Sequence, residues 1–291
     1  MYKLIISPQE LQQQMKAGTS LAVIDCSFDL MKPESADALF ESEHIQGALH
    51  AHLERDLSAH GGQPAVNGGR HPLPRREDFA RRLGQWGIAA HTQVVVYDRN
   101  QGNYCGRLWW MLKWLGHEAV AMLDGGLQGW QQAGGQVAHG AAASPAACAF
   151  EIRPPLRSLV LQDTVVSRLG QAAQTLVDAR GAPRYRGEVE PLDPVAGHIP
   201  GALNRPYTDN FTADGRFKPA EVLRTEWLAV LGERPAQGVV HHCGSGVSAV
   251  PNLIAMELAG LGPTALYAGS WSEWSRSPGL PCARGAEPGT P

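Results

Sequence analysis

The stretch "VVHHCGSGVSAVPN" (239–252) decides how the chain is read. A β-branched pair and two histidines lead to Cys243, small residues follow, and an apolar run with helical spacing comes next. That pattern describes a buried strand, a tight loop and a helix. Gly244 and Gly246 allow the loop amides to turn inward and cradle negative charge, and the following helix adds the positive end of its dipole. Ser248 is the expected N-cap; Pro251 is tolerated in the first turn, where its missing N–H has no intrahelical partner. Open parallel sheets carry their sites at the carboxyl ends of strands. A thiolate there would be a nucleophile at neutral pH. The competing reading of Cys243 is a small buried hydrophobe.

The pattern occurs twice. "QVVVYDRNQGNYCG" (93–106) aligns with "GVVHHCGSGVSAVP" (238–251), "AVIDCS" (22–27) with "TLVDAR" (175–180), "EHIQGALH" (43–50) with "GHIPGALN" (197–204), and "LDGGLQGW" (123–130) with "YAGSWSEW" (267–274). The chain is a duplication, with extra Gly-rich residues at 53–74 of the first copy. Arg99 is taken as the counterpart of Cys243, which implies one active copy and one supporting copy. Short β-branched runs (22–25, 93–97, 175–178, 238–241) alternate with helix-like segments (76–87, 107–116, 252–262), Gly116 and Gly260 standing where helices end. The expected fold class is α/β: two tandem domains, each a central parallel sheet flanked by helices. The expected boundaries are a first domain at 1–137, an Ala/Pro-rich linker at 138–158, a second domain at 159–278 and a flexible tail at 279–291.

Composition narrows the function. The chain has 291 residues, 43% of them hydrophobic and 18% charged, with a net charge of −3. No basic stripe alternates with aromatics, so nucleic acid is not an expected partner. No apolar run reaches the ~18 residues of a membrane span, and the amino-terminal stretch lacks the apolar core of a signal peptide. Five scattered cysteines form no C-x-x-C pair, which argues against a zinc ribbon, a thioredoxin-like site and a disulfide framework. A soluble protein of a reducing compartment, the cytoplasm, is expected. Cysteine phosphatases also use a strand, a cysteine, a loop and a helix, but need C-x5-R; Ala249 stands at the arginine position, which removes the main group for phosphoryl transfer.

On "DAR…RYRG" (178–187), "GHIPGALN" (197–204), "CGSGVSA" (243–249), "GSWSEW" (269–274), and in the first copy "HIQGAL" (44–49), "GRHPLP" (69–74), "VVVYD" (94–98) and "GGLQGW" (125–130), the chain resembles the rhodanese family of two-domain sulfurtransferases over nearly its whole length. The resemblance implies two rhodanese domains with only the second catalytic, and no metal or organic cofactor. It implies a ping-pong reaction in which Cys243 takes a sulfane sulfur as a persulfide and passes it to cyanide or a thiol, such as thioredoxin or a small thiol metabolite. Thiosulfate-preferring members resemble C-R-K-G-V-T and mercaptopyruvate-preferring members C-G-S-G-V-T; Cys-Gly-Ser-Gly-Val-Ser resembles the latter. A loop without Arg or Lys favours a doubly charged donor less. Gly244, Gly246, Val247 and Ser248 then line the donor site, and Ser245 bonds its thiol or carbonyl. Arg184 matches the family's carboxylate-binding arginine. Arg180 matches a further motif arginine and is either a substrate ligand or a structural partner of Asp178. Leu192 falls where animal mercaptopyruvate enzymes have a second arginine, and Arg186 is the candidate to compensate. Asp56 and His71 match the family's polar pair, with His71 a proton relay. His241 and His242 are tuning groups. A thiosulfate sulfurtransferase and a non-catalytic binding or redox-sensing module are the alternatives.

Overall fold

The two halves build the same sheet. The computed structural model describes residues 1–141 and 145–290. In the first half the strand order is Ile5–Ile6, Val120–Leu123, Gln93–Tyr97, Leu21–Asp25, Leu49–His50; in the second it is Ser158–Val160, Ala265–Tyr267, Val239–His242, Thr175–Asp178, Leu203–Asn204. Every pairing within these two sheets is parallel. Strands with both faces covered read as short β-branched runs, which is why 93–97 and 238–241 stood out in the sequence; the second strand runs Val239–His242 and ends on two histidines.

The helices predicted at 76–87, 107–116 and 252–262 are Arg76–Gln85, Cys105–Trp114 and Val250–Leu258. Gly116 and Gly260 close the last two with φ of +84° and +69°, the left-handed conformation that glycine adopts without a Cβ penalty. All ten residues of Cys105–Trp114 are buried, Arg107 and Lys113 included. Each half has its own core: Val23, Val95, Leu127 and Trp130 belong to one, and Leu176, Val240, Trp271 and Trp274 to the other.

The compact units differ from the expected boundaries. The first comprises 1–64, 74–156 and 211–217; the second comprises 65–73, 157–210 and 218–291. Thus "VNGGRHPL" of the first repeat belongs to the second unit. Linker residues 142–144 lie outside the described residues; further on, Cys148, Arg153 and Leu156 donate their amides to the carbonyls of Gly84, Leu115 and Lys113. Gly84 makes room for this course, since a Cβ there would lie 2.4 Å from the Cys148 carbonyl oxygen. The Pro/Gly-rich composition of 279–290 suggested a flexible tail; the segment instead pairs its backbone with the second unit. Ala283 and His198 exchange both N–H···O bonds at 2.9 Å, and Gly201 N donates to the Pro288 carbonyl. Backbone groups of 198–201 need partners, and the tail supplies them.

The central strand of the second sheet ends in two buried histidines. Neither ring nitrogen of His241 has a hydrogen-bond partner among the described residues. Burial, with the neighbouring His242 adding to it, pushes the His241 imidazole down to about 3. Burial also lowers His242, against the pull of Asp178. Both rings are therefore neutral in the fold. Below the ordinary value of 6.5 the unfolded chain takes up protons that the folded chain refuses, so stability is full above 6.5 and falls as pH drops towards 3. The expected loss is about 1.4 kcal/mol per pH unit for each histidine that stays neutral. Urea unfolding of the wild type and of His241→Leu between pH 7 and pH 4 should show a shallower slope in the variant; equal slopes would mean that the ring is protonated in the fold.

Candidate active site

Register fixes which residues correspond. Asp25 pairs with Tyr97 in one sheet and Asp178 with His242 in the other. The residue after each central strand is therefore Asp98 in the first copy and Cys243 in the second. This corrects the sequence expectation, which set Arg99 opposite Cys243: read position by position, blocks 93–106 and 238–251 agree with the ladder, and the Arg99 assignment was one residue off. Asp98 shows what the loop is built to hold. Its carboxylate accepts four backbone N–H groups, from Asn100 (2.8 Å), Gly102 (3.0 Å), Tyr104 (2.8 Å) and Cys105 (2.9 Å). At the same offsets from Cys243 stand the amides of Ser245, Val247, Ala249 and Val250. Arg99 turns away to Ser27 Oγ at 2.8 Å, Asp25 at 3.4 Å and the carbonyls of Leu39 and Glu43.

Cys243 is 1% exposed. Its loop is held from behind by "GSWSEW". Cys243 N donates to Ser270 Oγ (3.1 Å), which donates to the Tyr267 carbonyl (2.9 Å). Trp271 N and Ser272 N donate to the carbonyls of Cys243 (3.0 Å) and Gly244 (2.8 Å). Ser270 takes φ +56° to do this. The two loop glycines have different reasons. Gly246 has φ +71°, and a Cβ there would lie 2.2 Å from the Ala268 carbonyl oxygen. Gly244 is not in the left-handed region; its missing side chain leaves room for guanidiniums, as a Cβ would lie 3.1 Å from Arg70 Nη2 and 3.4 Å from Arg184 Nη1.

Ser245 Oγ lies 2.7 Å from His71 Nδ1, and both residues are buried. The histidine arrives on segment 65–73, within the second unit. That segment is latched by Gly68 N to Glu273 Oε1 (2.6 Å) and Arg70 N to Ser272 Oγ (2.9 Å). Val247 is buried and Ser248 half-buried in a turn. Ser248 is not the cap it was expected to be. The helix starts at Val250, Ala249 is the N-cap with helical backbone angles, and no side chain caps it; the loop enters the helix through turns in which Val250 N and Asn252 N donate to the carbonyls of Val247 and Ala249, and Pro251 has no N–H.

Arg180 is consumed by structure. Its guanidinium binds Asp178 (2.6 and 3.0 Å), Glu190 (3.3 Å) and the Gly197 carbonyl (2.7 Å), 4.8 Å from the Trp271 ring centroid. Burial alone would raise Asp178; the Arg180 charge outweighs it and holds the carboxyl at about 2. Arg184 binds Glu190 (2.6 Å) and Asp193 (3.4 Å) and is one-fifth exposed beside Gly244. Arg186 gives both Nε and Nη2 to Glu188 at the surface. Asp56 belongs to the first unit, where it accepts from His52 N (2.9 Å) and pairs with Arg82 (3.2 Å) and Arg55 (3.4 Å). Sequence reading missed Arg70, Glu190, Asp193 and Ser270. Arg70 was visible as the neighbour of His71, but nothing in its spacing aims it at residue 244. Among the described residues no cluster of His, Cys, Asp and Glu could hold a metal ion.

The contrast between the glycines is testable. Gly246→Ala should lower stability by ~1–3 kcal/mol for its backbone conformation alone, before the clash is added. Gly244→Ala meets only the ends of flexible arginines and should stay within about 0.5 kcal/mol of wild type. Urea midpoints of the two variants measure this; equal losses would contradict the distinction.

A model of the rhodanese-like domain matches the chain twice, over residues 7–133 and 161–277. The chain is 46% identical over 279 residues, covering 94% of it and 96% of the relative, to a Pseudomonas aeruginosa protein named probable 3-mercaptopyruvate sulfurtransferase. It is 35% identical over 290 residues, 97% of this chain and 98% of the other, to SseB of Mycobacterium tuberculosis, a putative thiosulfate sulfurtransferase. Among solved structures, the 3-mercaptopyruvate sulfurtransferase from Leishmania major superposes with a TM-score of 0.81 at 30% identity, over 96% of this chain and 76% of that one. Two matching domains and relatives of this length and identity show that the chain belongs to the rhodanese family, among its two-domain sulfurtransferases.

Proposed function

We propose that the protein takes a sulfane sulfur from 3-mercaptopyruvate through a Cys243 persulfide and hands it to a thiol or to cyanide. The observation that carries this reading is the loop itself: where the first copy holds a carboxylate among four amides, the second holds a sulfur. The Cys243 thiolate attacks the donor sulfur, an S–S bond forms, and the donor's C–S bond breaks with its electrons going to carbon as the pyruvate enolate. The proton that leaves the donor thiol is the one the enolate carbon gains. Ser245 and His71, 2.7 Å apart, are the pair that carries it. The amides of Ser245, Val247 and Ala249 stabilise the persulfide anion. An acceptor thiolate, of thioredoxin or a small thiol, or cyanide, then takes the outer sulfur and releases the Cys243 thiolate. No cofactor enters this balance.

Arg184 binds the donor carboxylate beside Gly244. Asp56, which pairs with Arg55 and Arg82 within the first unit, is the acidic partner proposed for His71 in this relay, and Arg186, paired with Glu188, is a proposed secondary anchor for the donor. Among the described residues the five cysteines are free and two of them exposed, which suits a reducing, thiol-rich compartment such as the cytoplasm. Thiosulfate is the second donor to consider, because a relative of 35% identity carries that name. The loop has no cation of its own to meet a dianion.

Steady-state kcat/KM with cyanide as acceptor should be higher for 3-mercaptopyruvate than for thiosulfate; the opposite order would overturn the donor assignment. Mixing enzyme with donor alone should add the mass of one sulfur atom at Cys243. Cys243→Ala should abolish turnover, and full activity in it would refute the persulfide route. Arg184→Ala should raise the donor KM more than it slows the acceptor step; the reverse pattern would remove Arg184 from donor binding.

A further inference from the structure

One short helix, Ser270–Trp274, holds both sides of the contact between Ser245 and His71. It takes the Cys243 loop through its backbone, Trp271 N and Ser272 N donating to the carbonyls of Cys243 (3.0 Å) and Gly244 (2.8 Å). It takes the segment that carries His71 through its side chains: Ser272 Oγ accepts from Arg70 N (2.9 Å) and Glu273 Oε1 from Gly68 N (2.6 Å). Cβ atoms are missing where the two pieces meet. One on Gly68 would lie 2.8 Å from Glu273 Oε1, one on Gly69 2.7 Å from Ser272 Oγ, and one on Gly269 would run into Glu273 Oε2. Burial, with the Glu273 carboxylate beside it, raises the Tyr267 phenol, which keeps its proton and shares it with that carboxylate.

The segment is closed at its neck, Val66 N donating to the Leu73 carbonyl (2.8 Å) and Leu73 N to Asn67 Oδ1 (3.0 Å), so a pull on one part reaches the rest. Arg70 Nη1 donates to Asp193 Oδ1 (2.7 Å), the last link of an alternating chain of Asp178, Arg180, Glu190, Arg184 and Asp193. That link fixes the far end of a long side chain and leaves the backbone on either side of Gly69 to be fixed by Ser272 and Glu273. Of these two, Glu273 offers a carboxylate, and a hydrogen bond to an ionised acceptor is about twice as strong as a neutral one.

Resting on the mercaptopyruvate reading and its Ser245–His71 relay, we propose that Glu273 is a positioning residue for the proton transfer, setting His71 against Ser245 by holding the Gly68 amide. Glu273 itself moves no proton. His71 Nδ1 lies 2.7 Å from Ser245 Oγ, and a shift of ~1 Å at such a contact is enough to cost a large part of the rate. Without the tether the proton that the leaving enolate needs arrives more slowly, and the Cys243 thiolate is unaffected.

Glu273→Ala removes the acceptor, and Glu273→Gln keeps an oxygen for the amide. With 3-mercaptopyruvate and cyanide, kcat should fall about tenfold or more in Glu273→Ala with the donor KM within about twofold of wild type, and Glu273→Gln should recover most of the loss. Alkylation of Cys243 by iodoacetamide, in which the thiolate displaces iodide and no relay takes part, should keep its rate within about twofold in both variants; mass spectrometry of the Cys243 peptide separates it from exposed Cys148 and Cys282. Unchanged kcat in Glu273→Ala would overturn the proposal. So would a kcat loss matched by an equal loss of alkylation rate, because the whole cysteine loop would then have moved. Gly68→Ala, which crowds Glu273 Oε1 from the other side, should lower kcat in the same way and decides the matter if Glu273→Ala does not fold. Hydrogen exchange of the 65–73 peptide reads the tether without any donor: protection should drop in Glu273→Ala and persist in Glu273→Gln, and equal protection in the two would overturn the tether. A wild type inert towards 3-mercaptopyruvate in which this drop is still seen would overturn the donor reading and leave Glu273 as the residue that holds the His71 segment.

Discussion

Backbone amides gathered at the end of a buried strand must be given something to bind. That requirement shapes both copies of the repeat. The first meets it internally: Asp98 fills its own loop with two oxygens and four hydrogen bonds. The second replaces the carboxylate with a sulfur, a weak acceptor, and so forgoes the bonds that would hold the loop shut. Its shape has to come from outside. Ser270, Trp271 and Ser272 hold both sides of the cysteine, and Gly246 lies against the Ala268 carbonyl. Ser270 accepts a backbone conformation that costs ~1 kcal/mol or more for a residue with a Cβ. The scaffold carries a cost at that point because the loop cannot satisfy itself.

The charges around the loop obey a second constraint. Asp178, Glu190 and Asp193 are buried, and a buried carboxylate persists only when paired. The alternating chain from Asp178 to Arg70 pairs each of them. Truncating any inner member would leave its partner buried and alone, so the chain is more rigid than its surface-exposed end suggests. Such a network adds little net stability compared with apolar packing. What it provides is fixed geometry: guanidiniums held where the side chain of residue 244 is missing.

Much of this was legible beforehand, for identifiable reasons. Strand 93–97 and the run 238–241 announced themselves by β-branched residues, since a parallel strand covered on both faces favours apolar side chains, although the second strand ends on His241 and His242. The duplication showed through turn glycines and paired tryptophans such as Trp130 and Trp274, which have the same packing role in each core. Ser245 was read from the loop and His71 from the family resemblance, as the partner of Asp56; the contact between Ser245 and His71 was not read, since no local signal links residues so far apart in sequence. Arg70, Asp193 and Ser270 were missed because their roles depend on contacts made after folding. Arg186 drew attention instead of Arg70, because proximity along the chain was the only guide, yet Arg186 is occupied by Glu188. Ser248 failed as a cap because the chain enters the helix through turns whose carbonyls, of Val247 and Ala249, already take the first amides.

The allotment of residues 65–73 to the second unit and 211–217 to the first bears on how the duplication can evolve. A tandem repeat normally remains divisible, so that one copy can be lost, swapped or moved to another gene. Here the histidine beside Ser245 is encoded in the first repeat, and Phe217, whose amide binds Asp124, in the second. A cut at the junction between the repeats would take His71 away from Ser245 and Phe217 away from Asp124. The two copies can no longer be divided cleanly there, because the repeat without Cys243 lends His71 to the loop of the other.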